Sequence, residues 1–161
     1  MYQRILVPVD GSPTSHAGLL EAMKFARLTG ARLRLLHVVD EMPYVLSAGG
    51  YAPLSSNVFD LMRDAGEKIL NADRDEVERA GIEVDTALYD SLSGRLSERV
   101  AEEAVKWSAD LIVIGTHGRR GLRRAVIGSD AEQIVRTSSV PVLLVRDRSE
   151  SAPAQGDTKP D

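Results

Sequence analysis

Apolar runs of strand length alternate with stretches of helical period along this chain, and that alternation admits few folds. Five runs are rich in β-branched and aliphatic residues: RILVPV (4–9), RLRLLHVV (32–39), IEVDTALY (82–89), DLIVIG (110–115) and VPVLLVR (140–146). After the first, Leu19, Ala22, Met23 and Ala26 recur at helical spacing, with Glu21, Lys24 and Arg27 on the other side. Val58, Leu61, Met62, Ala65, Ile69 and Ala72 predict the inward face of a longer helix, which Gly81 is placed to terminate. Leu96, Val100, Ala104 and Trp107 mark a third helix, and a shorter fourth is predicted from about Gly128 to Thr137. Strands separated by helices pair in parallel through right-handed crossovers. The first and fourth runs are almost continuously apolar, as strands covered on both faces are. The expected fold is therefore a doubly wound α/β sandwich, a five-stranded parallel sheet of order 3-2-1-4-5 with helices on both faces. At 161 residues it is one domain. Residues 1–146 are expected to form the folded unit. Residues 147–161, DRSESAPAQGDTKPD, contain no aliphatic side chain larger than alanine and are expected to be a disordered tail.

Composition narrows the function. With no cysteine, disulfides, thiol catalysis and cysteine-ligated metals are excluded. No apolar run approaches the roughly 20 residues of a membrane helix. MYQRILVPVDG enters a strand directly, without the features of a signal peptide, so a cytoplasmic protein is expected. A net charge of −4 and 4% aromatic residues argue against a nucleic-acid partner. The connection at 40–57 is longer than usual, and its Tyr44 and Tyr51 either cover a ligand or partner or stand on an exposed loop.

In open α/β sheets, ligands sit beyond the carboxyl ends of the strands. Two loops at such ends carry unusual residues. In VPVDGSPTS, Asp10 ends the first strand, Gly11 permits a tight turn, Ser12 suits an N-cap and Pro13 a first helical position. That pattern reads equally as a plain strand, turn and helix, or as a carboxylate placed to accept a ribose hydroxyl. The second loop, GTHGRRGLRRAVIGSDAE (115–132), places Arg119, Arg120, Arg123 and Arg124 among glycines in an acidic chain. Glycines let an oxygen anion approach the backbone, and Gly128-Ser129 opens a helix whose free N–H groups favour phosphate. The alternative is an exposed basic turn.

Neither a G-x-x-x-x-G-K-[ST] loop nor a G-x-G-x-x-G after the first strand occurs. His37 reads as a structural residue of the second strand, while His117 lies in the glycine-rich loop and His16 in the first helix. Paired carboxylates, a Ser-His-Asp pattern and metal-ligand spacing are all lacking, so no enzyme class follows. The spacing that does occur is G-x2-G-x9-G-S, from Gly115 through Gly118 to Gly128-Ser129.

That spacing, together with ILVPVDGS, LLHVVD and SADLIVIGTHGRRGL, strongly resembles the universal stress protein family over residues 1–146. The resemblance implies the branch that binds ATP, with ADP or AMP as alternatives and Mg²⁺ carried on the phosphates. By position, Pro8, Val9 and Asp10 would line the adenosine side, and Val38 would offer its backbone to adenine. Gly115, Thr116, Gly118 and Arg119 would wrap the phosphates, closed by Gly128, Ser129 and the backbone of Asp130. Asp130 departs from the family, which is usually aliphatic there, and places a carboxylate near the phosphates. A homodimer through the last strand, Val140 to Arg146, and an unidentified protein partner are implied as well. The function implied is a regulatory, stress-responsive nucleotide-binding module. Slow ATP hydrolysis or autophosphorylation on Ser129 or Thr116, and a nucleotide-independent dimeric interaction protein, are the alternatives.

Overall fold

The structure, a computed structural model, describes residues 1–40, 56–90, 95–116 and 127–146. In chain order these form β1 (Arg4–Pro8), α1 (Pro13–Thr29), β2 (Arg32–Val39), α2 (Ser56–Arg79), β3 (Val84–Asp90), α3 (Leu96–Lys106), β4 (Leu111–Gly115), α4 (Ser129–Thr137) and β5 (Val142–Val145). The sheet has the expected order β3-β2-β1-β4-β5, and every pairing is parallel.

Alternation of side chains along the central strands makes two cores. Ile5, Val7, Leu33, Leu35, Leu111 and Val113 face α1 and α2, meeting Leu19, Ala22, Met23, Leu70 and Val77. Leu6, Leu36, Ile112 and Ile114 face the other way, toward Val100, Ala104, Trp107 and Ile134 of the α3–α4 side. Each buried Val, Leu, Ile or Met side chain among these contributes about 1.5–3 kcal/mol by leaving water. Among the described residues, one carboxylate is buried in the second layer. Glu103 of α3, 1% exposed, accepts from Arg34 Nη1 at 2.6 Å and from the Tyr89 hydroxyl. Arg34 also reaches Asp85 at 3.0 Å and lies over the Trp107 ring, so the carboxylate is compensated from two strands.

The helix faces of α1 and α3 match the sequence periodicity, but that of α2 is turned by one position. Leu61, Ala65 and Ala72 are exposed, and Gly66, Leu70 and Val77 point inward instead. Gly66 sets this phase. A Cβ there would lie 2.8 Å from the His37 ring, so α2 approaches β2 through a residue that carries no apolar signal. The third strand also starts later than expected, at Val84. Ile82 donates its N–H to Val77 at 3.3 Å and belongs to the C-terminal cap of α2, with Gly81 at φ +73° making the turn.

Candidate functional site

At the carboxyl edge of the sheet β1 and β4 part. Their ladder ends at Leu6 with Ile112, while β1 runs on to Pro8 and β4 to Gly115. This is the switch point of the topology, because β1 continues to β2 on one side and β4 to β5 on the other.

On the β1 side, the turn into α1 is tied to itself by hydrogen bonds. The Asp10 carboxylate accepts the Ser12 N–H at 2.9 Å, and the Asp10 N–H donates to Ser15 Oγ at 3.1 Å. Ser12 Oγ accepts the Ser15 N–H at 3.1 Å, the side-chain cap expected of this residue. Gly11 takes φ +75°, where a side chain would be strained. Ser12 and Ser15 are buried and Asp10 is half-buried, so the carboxylate is held at the crevice edge. Val38, half-buried, stands near the end of the neighbouring strand β2.

The β4 side is closed by two backbone bonds. Thr116, 4% exposed, donates its N–H to the Val145 carbonyl at 2.9 Å, and its own carbonyl accepts the Gly128 N–H at 2.8 Å. Thr116 and Gly128 are thereby joined directly, beside the start of α4. Gly128 is the N-cap of that helix and supplies no side-chain acceptor. The first-turn N–H groups at Asp130 and Ala131, which an N-cap side chain would take, consequently lack such a cap, and the helix dipole adds partial positive charge there. Ser129 and Asp130 are exposed.

Gly115 is explained by packing, beyond any ligand. An added Cβ would fall 2.3 Å from the Thr14 carbonyl oxygen, so glycine is what lets the first turn of α1 sit against β4. That contact brings the Asp10–Ser15 turn to the end of β4, and the Thr116–Gly128 bond adds the α4 N-terminus beside it. Gly118 and Arg119, with His117, Arg120, Arg123 and Arg124, lie outside the described residues, as do Tyr44, Tyr51 and the tail at 147–161.

On α2, within electrostatic reach of Asp10 and His16, stands a group that sequence reading passed over. Burial pushes the Asp73 carboxyl above the ordinary carboxylate value; His16 opposes this, and the charges of Glu76 and Asp10 add to the rise. Nothing in a helical run of charged residues marks Asp73 as the half-buried one. Ser15 was equally invisible as a partner of Asp10, although its place at the third helical position is where an N-cap oxygen reaches. Among the described residues, no group of three or more His, Asp or Glu side chains could hold a metal ion, and no helix is long and apolar enough to cross a membrane.

Comparison with known proteins bears on this geometry. The sequence model described as the universal stress protein family matches residues 1–146. Universal stress protein MJ0531 of Methanocaldococcus jannaschii is 34% identical over 147 residues, covering 91% of this chain and 83% of the relative. Among solved structures, hypothetical protein MJ0577 superposes with a TM-score of 0.78 at 26% identity, covering 92% of this chain and 98% of that one. A universal stress protein family member from Burkholderia pseudomallei gives 0.70 at 32%, covering 89% and 96%. Two further universal stress proteins of like fold were solved with nucleotides. One is in complex with cAMP (23% identity, TM-score 0.62, covering 90% of this chain and 97% of that one). The other, from Archaeoglobus fulgidus, is in complex with dAMP (21% identity, TM-score 0.62, covering 89% and 98%).

Proposed function

Since this chain belongs to the universal stress protein family, we propose that it is an adenine-nucleotide-binding module, with ATP and its Mg²⁺ as the preferred ligand. The observation that carries this reading is the closure of Thr116 onto Gly128 beside the α4 N-terminus, where Gly128 offers no side-chain cap. A phosphate chain meets there the kind of site that free amides and a helix dipole make. Asp10, fixed by Ser12 and Ser15, takes the ribose hydroxyls, with Pro8 and Val9 on the adenosine side and the Val38 peptide against the base. Gly115, Thr116, Gly118, Arg119, Gly128, Ser129 and the backbone of Asp130 surround the phosphates, and Mg²⁺ rides on the phosphate oxygens. The nucleotide complexes of two relatives lend this support. Asp130 is exposed, which leaves its carboxylate free to turn toward solvent.

The module acts in this reading as a cytoplasmic homodimer, its occupancy biasing dimer or partner contacts. The edge strand β5 presents half-buried Val142, Leu143, Leu144 and Val145, and pairing it with a second copy removes an aggregation-prone edge. If turnover occurs, Ser129 is the acceptor that fits, being exposed, whereas Thr116 is buried. The test is to denature freshly purified protein and identify the released small molecules by mass. Adenine nucleotide in stoichiometric amount is expected. A clean protein that also fails to take up Mg-ATP in calorimetry would overturn the reading.

A further inference from the structure

His37 lies one residue past the last paired step of the β1–β2 ladder. It is 6% exposed, and its Nδ1 lies 2.7 Å from the Val9 carbonyl oxygen. A carbonyl only accepts, so Nδ1 carries the proton. The ring is held from behind by α2, where a Cβ on Gly66 would lie 2.8 Å from Cδ2 and 3.2 Å from Nε2. The paired register of β1 and β2 ends at Pro8 with Leu36, and Val9 gives its N–H to the Leu36 carbonyl at 2.8 Å. The Leu36 peptide groups thus face β1, and by the alternation of a strand those of Val38 face the same way. A ladder continued by one step would join the Val38 N–H to the Val9 carbonyl. The His37 side chain takes that carbonyl instead.

We propose that His37 is a positioning residue for base recognition: by holding the Val9 carbonyl it leaves the Val38 peptide to read the edge of the purine. This deepens the adenine-nucleotide reading and rests on it. The Val38 peptide offers one donor and one acceptor on the same side of the strand. Adenine matches them with its N1 acceptor and its 6-amino donor. Hypoxanthine reverses both, with N1–H and a 6-oxo group, so it is refused by an edge of this kind. Without the imidazole, the Val9 carbonyl is free to capture the Val38 N–H, and the discrimination falls.

The test titrates the full chain with Mg-ATP and Mg-ITP by calorimetry, in the wild type, His37→Leu and His37→Asn. The Asn amide places a donor near the position of Nδ1. The wild type is expected to prefer ATP, and His37→Leu to lose about tenfold of that preference, the worth of one hydrogen bond or slightly more. His37→Asn restores most of it. Nitrogen-15 NMR of the ligand-free wild type should show the Nδ1–H tautomer. A wild type indifferent to ATP and ITP, a His37→Leu ratio unchanged from wild type, or an Nε2–H tautomer overturns the inference while ATP binding itself stands. A wild type that binds no ATP overturns the parent reading along with it.

Discussion

Replacing Gly115 by alanine tests the contact on which the crevice is built. The new Cβ would lie 2.3 Å from the Thr14 carbonyl oxygen, 2.6 Å from its carbon and 3.0 Å from Cγ2. Relief requires α1 to retreat from β4 by roughly 1 Å, given an optimal carbon contact of about 3.5 Å. Neither side yields easily. The two closest atoms are backbone, and on the same interface a Cβ on Gly18 would lie only 3.0 Å from the Gly115 nitrogen. A retreat also lifts buried Leu19, Ala22 and Met23 from the first core. Overpacking of this kind costs about 1–3 kcal/mol, and the backbone clash places Gly115→Ala at the upper end, about 3 kcal/mol. In a domain of this size each kcal/mol lowers Tm by about 2–4 °C, so a fall of about 6–12 °C is expected. Gly30→Ala is the control, because Gly30 has φ +69° with nothing within 4 Å of an added Cβ and bears only left-handed strain, about 1–2 kcal/mol. Urea unfolding with a common m-value measures both. If Gly115→Ala costs no more than Gly30→Ala, α1 does not lean on β4 as described, and the convergence of the two loops goes with it.

Two further outcomes follow from buried charge. The Asp73 carboxyl has a raised pKa in the folded chain, so the native state holds its proton to higher pH than the unfolded chain does, and stability from this group falls as pH rises above the unfolded value of about 3.9. Asp73→Asn is therefore expected to stabilise at pH 7, with the gain fading as pH drops below about 4. Urea titrations at the two pH values check this, and an equal gain at both would contradict it. Glu103→Ala strands Arg34 in the second layer with Asp85 as its remaining carboxylate and is expected to cost about 3–5 kcal/mol, against about 1 kcal/mol for Tyr89→Phe. Guanidinium unfolding giving Glu103→Ala less than 1 kcal/mol, roughly the worth of one ordinary hydrogen bond, would contradict the burial argument.

Strands and helices were legible because hydropathy alternates with two distinct periods, and because Ser12 and Gly81 are residues whose local chemistry fixes caps without help from the rest of the fold. The phase of α2 was not. Leu61 and Ala65 look like core, yet Gly66 faces inward, since what decides is the room left beside His37 across the sheet. The buried carboxylate of Glu103 was hidden for a similar reason: its compensation comes to α3 from Arg34 of β2 and Tyr89 of β3. At the site, Asp10 and Gly128 could be picked out from spacing and resemblance. The reason for Gly115 is a contact with Thr14, about a hundred residues earlier, and no local pattern reports such a contact. Gly118 and Arg119 lie outside the described residues and stay with the proposal.

The central claim is that the crevice between β1 and β4 is a nucleotide site closed at Gly128. It is tested most directly by stripping the protein of ligand and following its melting temperature with Mg-ATP, for wild type and Gly128→Val. At a ligand concentration of a hundred times Kd, binding to the folded state alone adds about 2.7 kcal/mol, which is a rise of about 5–11 °C for a domain of this size. The account predicts that rise in the wild type and its loss in Gly128→Val. A wild type whose melting temperature stays fixed at millimolar Mg-ATP, or a variant that shifts as much as the wild type, would contradict it.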